Sequence, residues 1–155
     1  MSQPRSIVPA LLLTFALAAC GGDNPTAPVD DGNDGGDAGG DTRVIKASPS
    51  FSADIQEIMS RRGCTSSGCH GNGAGGMTLG GTAATNHGVL VDVASPRSGE
   101  IRVIAGDAQN SYLVKKLEGR QGNGNGSQMP LGGAALDNID LTNIKNWINT
   151  GAPNN

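Results

Sequence analysis

Two thiols and an imidazole stand within one heptapeptide, Cys64-Thr65-Ser66-Ser67-Gly68-Cys69-His70. Thiols so placed can add across the two vinyl groups of one porphyrin, and a histidine directly after the second thiol can bind the iron, which is how haem c is held. The order of the three groups is the required one, but the spacing differs from the usual motif. C-x-x-C-H separates its thiols by one helical turn, whereas four residues lie between Cys64 and Cys69, so two of them must bulge. Thr65, Ser66, Ser67 and Gly68 are small, polar and flexible, as a bulge across a porphyrin edge requires. Two other chemistries use the same residues. In an oxidising compartment Cys64 and Cys69 can form a disulfide, leaving His70 a surface residue. A zinc ion would need two further ligands, and the only other histidine is His87, with no further cysteine available.

An iron held by His70 keeps its opposite face open, and a thioether there gives a six-coordinate, electron-transferring centre of raised potential. Met129 suits that role: it follows His70 by 59 residues, in a glycine-rich loop before the final helix, and Pro130 stiffens the loop that presents it. Met77 and His87 are its rivals for the sixth position. Met59 falls on an apolar helical stripe and reads as core filler.

The elements that must position these groups lie between residues 42 and 153. Ser52 is placed to cap a first helix with Asp54 in its first turn, while Phe51, Ile55, Ile58 and Met59 form its apolar stripe and Gly63 stops it before Cys64. A last helix begins at Asp137 or Asn138, carries Leu141, Ile144, Trp147 and Ile148 on one face, and ends at Gly151 and Pro153. Residues 111–118 suit a short helix presenting Tyr112, Leu113 and Leu117, and residues 89–93 and 101–104 suit extended segments. Only Phe51, Tyr112 and Trp147 supply aromatic surface beyond residue 42, so an all-protein core is marginal and a large apolar cofactor would help it.

Residues 7–18 form an apolar run behind Arg5 that ends in Leu17-Ala18-Ala19-Cys20. The run is too short for a mature transmembrane helix and reads as a signal peptide over residues 1–19. Small residues just before a cysteine resemble the lipobox of bacterial lipoproteins, which implies a diacylglyceryl thioether on Cys20 and a lipid anchor. Ordinary secretion would instead leave Cys20 an unpaired thiol. Lipidation also settles the cysteine arithmetic, since it leaves Cys64 and Cys69 as a pair. Residues 21–41 hold seven glycines, six aspartates and two prolines, too little apolar surface to offset the entropy of ordering, and are expected to be a disordered tether.

From residue 42 onward ten Lys and Arg face eight Asp and Glu. That surplus is too small for the dense basic face nucleic-acid binding usually needs, and haem propionates would offset it. No Ser/His/Asp-like arrangement, nucleotide loop or metalloprotease motif is present, and no enzyme activity is expected.

The ordered set formed by residues 51–59, the 64–70 segment, Ile104-Ala105-Gly106-Asp107, Ser111-Tyr112-Leu113-Val114, Gln128-Met129-Pro130 and residues 144–153 with Trp147 resembles class I cytochromes c, and more closely the small cytochrome c-like domains of planctomycete and related bacterial proteins. The expanded thiol spacer is similar to that of some multihaem cytochromes. The resemblance covers nearly all of residues 42–155. It implies an all-α domain whose first and last helices cross, with one covalent haem c in the crevice, held by Cys64, Cys69 and His70 with Met129 as distal ligand. The expected activity is one-electron transfer between redox protein partners at the cell envelope. Gly21 after the lipidated cysteine, where an aspartate would retain a lipoprotein at the inner membrane in familiar sorting, favours the outer membrane. The alternatives are a haem-free, disulfide-bonded envelope lipoprotein acting as a binding module and, if Met129 is not a ligand, a five-coordinate haem enzyme subunit.

Overall fold

In a computed structural model of the chain, residues 42–155 are described; the expected signal peptide, lipidated Cys20 and tether lie outside them. Among the described residues the architecture is all-α, with four α-helices, short π and 3-10 turns, and isolated bridges in place of strands. No helix there is long and apolar enough to cross a membrane.

The first helical segment is capped by Ser50 and not by Ser52. Ser50 Oγ accepts the Ala53 N–H (3.1 Å), and the Asp54 carboxylate accepts the Ser50 N–H in return (2.8 Å), a reciprocal cap that Asp54 closes only with Ser50. A π turn, Phe51–Ile55, then runs directly into α1, Gln56–Arg61. Phe51, Ile55, Ile58 and Met59 are all buried, as their spacing predicts. Gly63 ends α1 at φ 72°, its N–H bonding Ser60 O (3.0 Å) while the Cys64 N–H bonds Met59 O (2.8 Å). These are the paired bonds of a Schellman stop, and they fix where Cys64 leaves the helix.

Helix α2, Ala83–Gly88, is not foreshadowed by any apolar stripe. Thr82 caps it by accepting the Thr85 N–H (3.3 Å), and fully buried Asn86 anchors it through Gln56 Oε1 (3.0 Å) and the carbonyls of Leu79 and Gly81 (both 3.2 Å). Polar anchoring leaves no periodic hydrophobic signal to read. Helix α3, Tyr112–Leu117, starts at Ser111 and buries Tyr112, Val114 and Leu117; Leu113 is only half-buried. The segments expected to be extended make three isolated bridges, Val91 with Val103, Ala94 with Ile101 and Ile104 with Asp107.

Helix α4, Asn138–Asn149, is capped by Asp137, which accepts the Asp140 N–H (3.0 Å), and stops at Gly151 with φ 100°. Its Trp147 and the Phe51 ring are both fully buried, 5.1 Å apart between centroids, so the first helical segment and α4 share one core. Asn155 ties the chain end to the same place by accepting the N–H groups of Phe51 (3.0 Å, side chain) and Ser52 (2.8 Å, main chain). A second clamp is ionic. Asp140, 1% exposed, receives Arg43 Nη1 (2.9 Å), Arg61 Nη2 (2.8 Å) and Arg62 Nε (2.6 Å). Burial alone would raise the Asp140 carboxyl, but the bonds and charges of Arg61 and Arg62 outweigh it and hold it below the ordinary carboxylate value.

Candidate functional site

The segment after α1 folds back on itself and turns its spacer into a closed loop. Ser66 N–H bonds Gly63 O (3.1 Å), Cys69 N–H bonds Ser66 O (2.9 Å), and the His70 N–H closes the whole excursion on Cys64 O (3.1 Å). The residues that bulge, Ser66, Ser67 and Gly68, are exposed, while Cys69 is buried and Cys64 half-buried against the core. Gly71 passes so close beneath the loop that a Cβ there would stand 2.3 Å from Thr65 O and 2.8 Å from Ser66 O. Gly71→Ala is therefore expected to destabilise the domain by about 1–3 kcal/mol, the usual cost of overpacking against backbone, as a lower midpoint in denaturant unfolding.

His70 is held by its own side chain. Nδ1 donates to Ala74 O (2.7 Å), and the His70 carbonyl accepts the Leu79 N–H (2.8 Å). A carbonyl only accepts, so in the neutral ring Nδ1 carries the proton and the Nε2 lone pair is left for a metal.

Met129 is presented by a loop fastened to α3. Its N–H bonds Lys116 O (2.9 Å), and Gln128 Nε2 donates to Leu117 O (2.8 Å). The preceding turn is drawn to the same helix: Asn125 O accepts Tyr112 Oη (3.3 Å) and Lys116 Nζ (3.2 Å), and Ser127 O accepts Lys116 Nζ as well.

These elements enclose a cavity of about 450 Å³, within the roughly 300–1,000 Å³ usual for cofactor sites. Cys64, Cys69, His70 and Met129 all line it, together with Met77, Leu79, Leu90, Leu113 and Leu117. Met59, expected as filler, is a core residue that also reaches the wall. His87 lies elsewhere: its Nε2 bonds Ala152 O (2.8 Å), and its ring meets Phe51 edge-on at 5.1 Å. Among the described residues no three His, Cys, Asp or Glu side chains are grouped to hold a metal ion.

Cys64 carries a free thiol, so the expected alternative of a Cys64–Cys69 bridge is not what forms. Cys69 is disulfide-bonded. Burial pushes the Cys64 thiol up, against the opposing charge of Arg62.

Four cationic side chains in the cavity wall, Arg62, Arg97, Arg102 and Lys116, were not singled out by the sequence, and no Asp or Glu lines it. Arg102 is the one with a readable signal, a cation inside the apolar run Ile101-Arg102-Val103-Ile104. It is 9% exposed, and burial pushes its guanidinium below its ordinary value.

The chain matches no protein family, no curated protein and no solved structure.

Proposed function

We propose that this chain is a mono-haem c-type cytochrome of the lipoprotein kind, a cytochrome c-like domain tethered to the envelope through Cys20 and passing single electrons between redox proteins. One observation carries the reading: two cysteine sulfurs, an imidazole with its Nε2 lone pair free, and a thioether drawn from distant parts of the chain line a single, mostly apolar cavity. The donor set fits the group. Cys64 and Cys69 would hold the porphyrin through thioethers, and His70 and Met129 would bind its iron.

When bound, haem would supply the Fe(II)/Fe(III) couple for one-electron transfer. The protein's part is to fix that environment. The Ala74 carbonyl orients His70, the bonds to α3 hold Met129, and the leucines exclude water from the iron's surroundings. Lipid on Cys20, with outer-membrane sorting, would confine the domain near its donors and acceptors and so raise the encounter rate.

The second reading, a haem-free and disulfide-bonded binding module, is supported by the disulfide at Cys69. One sulfur cannot serve both bonds, which makes the choice measurable. Full-length protein matured with the haem-attachment machinery is expected to give a pyridine haemochrome spectrum of covalent haem at one per chain, lost in Cys64→Ser/Cys69→Ser. Full-length protein that carries no covalent haem under those conditions belongs to the second reading.

A further inference from the structure

Among the described residues, three of the four cations in the cavity wall have no carboxylate partner. Of its four cations, Arg62 is paired with Asp137 and Asp140. Among the described residues the other three bond only to backbone carbonyls: Arg102 through Nη1 to Val89 O (2.7 Å) and Nη2 to Gly76 O (2.9 Å), Arg97 to Gly124 O (3.4 Å), and Lys116 to Asn125 O (3.2 Å) and Ser127 O. Arg97 and Lys116 converge on adjacent carbonyls and repel one another; burial and the Arg97 charge both press the Lys116 ammonium downward. The nearest carboxylates along the chain are taken, Glu100 by Lys115 and Glu118 by Arg120 and Lys145. A buried cation without an anion is costly, and a guanidinium has five N–H donors of which Arg102 engages two with these carbonyls.

We propose that Arg97, Arg102 and Lys116 form the seat for the two propionate carboxylates of the haem, with Arg102 supplying the buried contact. The assignment rests on the haem reading above. It predicts that the seat sets the reduction potential, because an uncompensated propionate beside the iron favours Fe(III). The bland alternative is that Arg102 only straps the Gly76 and Val89 carbonyls together. Loss of that strap would lower thermal stability without a specific electrostatic signature.

The experiment uses full-length protein matured with the haem-attachment machinery, in wild-type, Arg102→Gln, Arg102→Lys and Arg97→Gln/Lys116→Gln forms. Haem loading is scored by pyridine haemochrome and the potential is measured from pH 5 to 8. In Arg102→Gln the potential is expected to fall and to acquire a downward step with rising pH as a propionate ionises, while wild type stays flat and Arg102→Lys restores most of the flatness. The remaining ionisable groups facing the cavity are Arg62, Cys64, Cys69, His70 and Tyr112; in the haem-loaded protein His70 would be on iron and both cysteines in thioethers. The double variant, whose side chains lie nearer the surface, is expected to shift the potential in the same direction and guards against a misfolded Arg102→Gln. Haem-loaded variants whose potentials and pH profiles all match wild type overturn the seat and leave the haem reading standing. Wild type without covalent haem overturns the haem reading, and the seat with it.

Discussion

Met129→Ala is expected to abolish the weak iron–sulfur absorption of the oxidised, haem-loaded protein and to lower its reduction potential by a substantial part of the roughly 0.8 V that axial ligands command. A thioether is a soft ligand that stabilises Fe(II), so water or an empty position in its place favours Fe(III). The loop that carries Met129 is held mainly by bonds that survive the substitution, from the backbone N–H to Lys116 O and from Gln128 to Leu117 O. Truncation should therefore remove the ligand without releasing the loop. Met77 shares the cavity wall, and Met77→Ala is the matched control. If the absorption survives in Met129→Ala and disappears in Met77→Ala, the distal ligand is Met77. If the haem-loaded wild type lacks the absorption, no methionine binds the iron, and the five-coordinate alternative gains the argument.

Asp140→Asn is expected to cost about 3 kcal/mol, the lower end of what breaking a buried ion pair costs, because the three arginines it leaves retain 21–33% exposure and can be hydrated. At about 4 °C per kcal/mol for a domain of this size, calorimetry should record a melting temperature roughly 12 °C lower. The pH dependence follows from the direction of the shift. Asp140 has a lower pKa folded than unfolded, so between the two values the unfolded chain binds more protons and stability rises with pH. Its contribution is complete above the ordinary carboxylate value, about 3.9, and is lost as pH falls through the depressed folded value. Asp140→Asn should flatten that acid limb without erasing it, because Asp54, Glu118 and Asp137 are depressed as well.

Much of the helical frame was legible because its signals are local. The stripe of Phe51, Ile55, Ile58 and Met59, the Asp137 cap and the stops at Gly63 and Gly151 each depend on a few neighbouring residues, and the structure realises all of them. Ser50 displaced Ser52 as the first cap because the return bond from Asp54 reaches only the earlier serine. Helix α2 was illegible for the opposite reason: its anchor is the side chain of Asn86, whose partners lie on α1 and the preceding loop.

The heptapeptide from Cys64 to His70 by itself determined which atoms could do chemistry and that the spacer between the thiols must bulge. Residue type fixes a thiol or an imidazole, and four residues cannot span one turn. Only the tertiary structure decided which distant groups share the cavity with them. It brought Met129 and Met77 to the wall, sent His87 to the Phe51–Trp147 core, left Cys64 a free thiol, and buried Arg102 without a carboxylate among the described residues. Those outcomes depend on how α3 and the Gln128 loop pack beside the 64–70 segment. Contacts between residues tens of positions apart leave no periodic trace in the chain.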